Sequence, residues 1–167
     1  MHNEMRMTLW PPVRERGVSF SLEEAMLVVQ ARSGGCSCGA VRYQTVGEPI
    51  RVSVCHCKQC QLRTGSAFGI SCYFPKESVK VLQGSMTTYQ RRSDDGRWFR
   101  TQFCGVCGST VLWHLEALPE AIGVAGGSFD NTDWLDPKLH VWASSAQKWI
   151  HFPEGVEVLR ESNIGKK

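Results

Sequence analysis

From residue 40 onward the chain alternates apolar and polar positions in short runs, cut at close intervals by Gly, Pro, Asn and Asp. That period of two predicts half-buried strands joined by turns. Residues 40–46 and 50–56 read as two strands around the turn Gly47-Glu48-Pro49. Residues 66–74 read as a third, ended by Pro75. Residues 78–82 and 86–92 follow, separated by Gln83-Gly84-Ser85. Asp94-Asp95-Gly96 is a hairpin signal, and 97–103 is its partner strand. Residues 109–115, 121–125 and 138–143 continue the series, with Leu118-Pro119-Glu120 as a break. Residues 155–160 could add an edge strand.

Helical readings are confined to three places. Ser21-Leu22-Glu23-Glu24 has the form of a capping box, and Leu22, Ala25, Met26 and Val29 share a helical face. A short helix over 22–30 competes there with a strand over 26–30. Residues 58–65 read as a turn or one helical turn, and 144–149 as a loop or short helix. Ser33-Gly34-Gly35 reads as a break. The organisation expected is an N-terminal extension over 1–32, one β domain over 33–160, and a fraying tail over 161–167.

Composition adds limits. At 167 residues the chain suits one domain with its own core. Its 42% hydrophobic and 21% charged residues are ordinary globular values. A net charge of +3 is too small to argue for nucleic acid. The densest basic group is Arg91-Arg92 with Arg97 and Arg100, either a solvated face or an anion site for a carboxylate-bearing substrate. No run approaches the ~20 apolar residues of a membrane span. No charged start with an apolar core and cleavage site opens the chain. The expectation is a protein of the reducing cytoplasm, without a membrane partner. There, clustered cysteines read as metal ligands rather than disulfides.

Seven of the eight cysteines fall in three tight clusters. Cys55, Cys57 and Cys60 have C-x-C-x-x-C spacing. A strand turns residues i and i+2 to one face, and a following turn returns Cys60 beside them. Three thiolates leave a tetrahedral zinc with an open position, as in catalytic sites. The pairs Cys36/Cys38 and Cys104/Cys107 together offer four thiolates, the closed structural kind. Cys72, between Ile70 and Phe74, reads as core. His56 alternates away from Cys55 and Cys57. An external thiol suits the open position, because zinc favours the thiolate and a zinc carrying three thiolates is a poor generator of hydroxide.

These motifs resemble the glutathione-dependent formaldehyde-activating enzyme family. The resemblance is carried by residues 34–43 (GGCSCGAVRY), by Cys-His-Cys-Lys-Gln-Cys followed by Gly65-Ser66-Ala67-Phe68, by residues 103–109 (FCGVCGS), and by His140-Val141-Trp142 with Ser145 and Trp149. It covers about residues 33–150. It implies a mainly β fold, an Mss4-like β-tent of short antiparallel strands stapled by a four-cysteine zinc site. It implies one structural zinc on Cys36, Cys38, Cys104 and Cys107, and a second, active-site zinc on Cys55, Cys57 and Cys60. The name-giving reaction joins glutathione and formaldehyde into S-hydroxymethylglutathione, formally a carbon–sulfur lyase in reverse. Residues 1–25 and Lys148 depart from the family's usual pattern.

Gly65 and Ser66 are candidate substrate contacts through their backbone. His140, Trp142 and Trp149 are candidate pocket residues, with core packing the competing role for each Trp. The leading reading is therefore a zinc-dependent lyase of thiol–aldehyde adducts. Its rival is a non-catalytic zinc module contacting another macromolecule. A C-x-x-C redox protein is weaker, because a β context lacks the helix N-terminus that lowers a cysteine pKa in such motifs.

Overall fold

The computed structural model describes residues 30–93 and 96–164. The helix-or-strand alternative ahead of residue 30 lies outside them, as does the tip of the hairpin at Asp94-Asp95. The chain is mainly β. Eleven strands are present among the described residues: β1 Ala31–Gly35, β2 Arg42–Val46, β3 Arg51–Cys55, β4 Gly69–Pro75, β5 Val79–Gln83, β6 Met86–Arg92, β7 Trp98–Cys104, β8 Thr110–Leu115, β9 Ala121–Ala125, β10 Leu139–Val141 and β11 Glu157–Val158. The one α-helix among them, α1, spans Lys58–Thr64. No helix among the described residues is long and apolar enough to cross a membrane.

Two sheets form. The smaller runs β1-β2-β5, and the larger β11-β10-β3-β4-β9-β8-β7-β6. Pairing is antiparallel except at β10, which lies parallel to both β3 and β11. Those parallel pairs depart from the purely antiparallel expectation. They arise because the chain returns to β3 only after a long excursion.

Period-two alternation gives the large sheet two working faces. On β4, Cys72 and Phe74 are fully buried and join Val41, Tyr43, Val111, Leu112, Val124 and Phe129 in the core between the sheets. Ser71 and Tyr73 alternate to the opposite face. Tyr43 ties the small sheet down, its hydroxyl 2.8 Å from Ser128 Oγ and its ring edge-on to Phe129.

Several boundaries moved. Ser33-Gly34-Gly35 does not break the chain but forms most of β1, so Ala31 and Arg32 belong to a sheet rather than to an extension. The glycines are there for space. A Cβ at Gly34 would collide with the Tyr43 ring and the Ser128 carbonyl. Residues 58–65 hold a seven-residue helix rather than one turn, stopped by Gly65 at φ 64°. The strand expected from 66 starts at Gly69, since Thr64 Oγ1 bonds the Phe68 carbonyl and holds the preceding loop. β10 stops at Val141 because Trp142 takes a left-handed φ of 58°. Residues 161–164, expected to fray, are anchored where Arg51 donates to Asn163 Oδ1 at 2.7 Å.

Gly34→Ala should lower the urea midpoint by an equivalent of about 1–3 kcal/mol, the usual cost of overpacking. Gly127→Ala, where an added Cβ meets nothing within 4 Å, should change it little.

Candidate functional site

The two cysteine groups expected from spacing are assembled in space. The Sγ atoms of Cys36, Cys38, Cys104 and Cys107 all lie within 4.8 Å of one another. Cys36–Cys38 and Cys38–Cys104 sulfurs are 3.5 and 3.8 Å apart. A tetrahedron with zinc–sulfur bonds of about 2.3 Å has sulfur–sulfur edges of roughly 3.8 Å, so the donor set fits zinc. Each half is a tight knuckle. Gly39 N–H donates to the Cys36 carbonyl, and Gly108 N–H to the Cys104 carbonyl, at 3.1 and 2.9 Å. The Val41 and Val106 amides donate to Cys36 and Cys104 sulfurs. The Val41 N–H draws Cys36 below the ordinary thiol range. The Ser109 hydroxyl, followed by that of Ser37, brings Cys107 down to about 5.

The sulfurs of Cys55, Cys57 and Cys60 also lie within 4.8 Å of one another, and no other Cys, His, Asp or Glu among the described residues joins them. Cys55 ends β3, Cys57 is the N-cap of α1, and its sulfur accepts from the Cys60 amide at 3.4 Å. The cluster thus sits at a helix start, the feature whose expected absence weakened the redox reading. A third sulfur within the same 4.8 Å nevertheless makes it a three-donor site rather than a plain C-x-x-C pair. Side-chain hydrogen bonds from Cys55 and Cys60 hold Cys57 well below the usual thiol range, while the Cys57 side chain pushes Cys55 far up. Three thiolates this close repel one another and need a cation to ionise together. Three soft donors suit zinc.

This cluster opens into a cleft of about 1040 Å³ lined by the second face of the large sheet. Registered neighbours there turn to one side. Tyr89, Thr101, Trp113, Gly123 and Tyr73 form one continuous row across β6, β7, β8, β9 and β4. Gly123 has no side chain because the Trp113 indole occupies that space. The indole Nε1–H reaches Tyr73 Oη at 3.4 Å, and the Arg63 guanidinium lies over the indole at 4.5 Å. Burial pushes the Tyr73 phenol up to about 12, and the Cys60 and Cys55 sulfurs act in the same direction. Lys58, Arg63, Arg91 and Arg97 line the cleft with one acidic residue, Glu161.

The expected substrate contacts divide. Trp142 lines the cleft. Gly65, Ser66 and Trp149 instead line a shallower hollow on the other side of α1, and Trp149 is 63% exposed rather than core. His140 lines neither. It is buried with its Nδ1 3.0 Å from His56 Nε2, and Phe152 stands edge-on to both rings. His56 thus serves as a packed partner rather than a ligand, as alternation indicated. Cys72 is fully buried in the core. Nothing in the sequence singles out Arg63, Tyr73 and Trp113. Cross-strand register brings Tyr73 and Trp113 together, and α1 lays Arg63 over the indole.

A thiol-rich β protein with one four-sulfur and one three-sulfur group is the class these features define. The model of the glutathione-dependent formaldehyde-activating enzyme family matches residues 31–145, and the chain belongs to that family. A crystal structure of a Rhodobacter sphaeroides protein is similar at 23% identity and a TM-score of 0.48, covering 64% of this chain and 92% of that one. No curated protein matches.

Protein purified without chelator should carry two metal ions per chain. A strong chelator should remove one with near-UV circular dichroism retained. Loss of the second should coincide with unfolding, since structural zinc contributes about 10–16 kcal/mol against a net stability of about 5–15 kcal/mol. Metal analysis alongside dichroism reads both steps.

Proposed function

We propose that this protein is a zinc-dependent carbon–sulfur lyase that makes or breaks thiol–aldehyde adducts, with glutathione as the thiol, in the cytoplasm. The observation that carries the reading is the three-sulfur cluster opening into a cleft, with the cations Lys58 and Arg63 of α1 lining it beside the sulfurs. Glutathione brings two carboxylates and one ammonium, so these two cations complement it.

In the synthetic direction the thiol sulfur adds to the aldehyde carbon. One carbon–sulfur bond forms, the carbonyl π pair moves to oxygen, and that oxygen takes the proton the thiol gives up. The reverse sequence breaks the adduct, and neither direction changes oxidation state. Cys55, Cys57 and Cys60 would hold the zinc, whose positive charge favours the thiolate form of a bound thiol. Lys58 and Arg63, on α1 beside the cluster, attract the carboxylates. Tyr73 keeps its proton at neutral pH and already accepts from Trp113. Its O–H, which also meets the Ser71 side chain, would turn to donate to the developing alkoxide. Cys36, Cys38, Cys104 and Cys107 hold the other zinc as a staple and take no part in the chemistry.

Cys57→Ser should keep the fold, lose one metal ion and lose glutathione binding together with catalysed exchange between free and adducted formaldehyde, read by NMR exchange spectroscopy. Exchange at the wild-type rate in that variant would contradict the lyase reading and favour a non-catalytic zinc module. Tyr73→Phe should lower kcat about 100- to 1000-fold, as expected for losing one donor to a developing oxyanion, with both metals retained.

A further inference from the structure

The cleft extends far beyond what glutathione and formaldehyde can fill. The large sheet places β3, which carries Cys55, five strand spacings from β6. At about 4.8 Å per spacing this is roughly 24 Å along the sheet. An extended tripeptide spans only about 11 Å, and the sulfur of glutathione lies on its middle residue. With that sulfur at the cysteine cluster, the peptide stays over β3, β4 and α1. Formaldehyde adds one carbon.

The wall beyond that reach sets Tyr89, Trp98, Phe99, Phe103 and Leu115 among polar side chains, Arg91 and Arg97 included. Arg91, Phe99 and Leu115 form a second registered row across β6, β7 and β8, parallel to the row of Tyr89, Thr101 and Trp113. Tyr89 is 59% exposed, although it is a large ring on a strand face. The Arg91 guanidinium lies over one face of the Phe99 ring, 4.8 Å from its centroid. All of these side chains line the same cleft as Cys55, Cys57 and Cys60.

We infer that the carbonyl substrate is an aldehyde with an extended apolar body, which lies along Thr101, Phe99, Tyr89 and Leu115 while its carbonyl carbon meets the thiol at the cysteine end. This rests on the lyase reading and names the substrate class for the same site. The chemistry is the addition already described: the sulfur–carbon bond forms at the carbonyl carbon, the carbonyl oxygen takes the thiol proton, and the rest of the aldehyde chain is unchanged. Straight-chain aldehydes of increasing length have similar carbonyl reactivity, so length isolates the contribution of the wall. Each methylene laid on an apolar surface is worth up to about fourfold.

The test is kcat/KM for adduct formation between glutathione and octanal, dodecanal and hexadecanal, a series whose chains reach progressively from β3 toward β7 and β6, each divided by its uncatalysed rate, with formaldehyde measured alongside. The zinc-loaded full chain is used. The ratio should climb severalfold per two carbons in the wild type. The slope should flatten in Tyr89→Ser and in Phe99→Ala and return in Phe99→Leu. A flat series with formaldehyde accelerated would overturn this inference and leave the lyase reading standing. A slope that persists in both variants would also overturn it, since the chain would then lie elsewhere. No acceleration of any aldehyde, formaldehyde included, would sink the lyase reading and the inference with it.

Discussion

Everything else in this fold depends on four sulfur atoms meeting at one point. Cys36 and Cys38 come from the turn between β1 and β2, and Cys104 and Cys107 from the turn between β7 and β8. The two turns are far apart in sequence, and they belong to different sheets. Joining them closes a long loop, whose entropy a metal ion offsets. It also fixes the small sheet over one face of the large one. Tyr43, Cys72, Phe74 and Leu112 then fill the space between.

Covering one face of the large sheet leaves the other free. Alternation along β4 makes the division sharp, with Cys72 and Phe74 inward and Ser71 and Tyr73 outward. The free face is where the second sulfur group sits, at the Cys55 end of β3 and the start of α1. The fold therefore separates two tasks that use the same ligand chemistry. A four-sulfur group, a complete donor set for one metal ion, stands where the two sheets meet. A three-sulfur group lines a cleft that also presents cations and aromatic rings.

The cysteine groups were legible because metal-ligand spacing is local. C-x-C and C-x-x-C state their ligand sets within a few residues, although Cys57 proves to be the N-cap of α1 rather than part of a strand. The mainly β class was legible for the same reason. β1 was not, because Gly34 and Gly35 read as breakers, whereas they are small so that Tyr43 and Arg42 can cross them. The cleft wall was not legible either. Tyr73, Trp113 and Arg63 come from β4, β8 and α1, and their meeting depends on register and on a missing side chain at Gly123. His140 illustrates the converse. Its motif marked the right strand, but nothing local says which face of β10 looks into the cleft, and His140 faces His56.

The central claim is that one metal site is closed and the other accepts an external thiol. Cobalt substitution tests it most directly, because the visible spectrum of each cobalt reports its own ligands. Glutathione titrated into the two-cobalt protein should change the spectrum of one cobalt and leave the other fixed, with an endpoint of one thiol per chain. A spectrum unaltered by glutathione, or two cobalts that respond alike, would contradict the account.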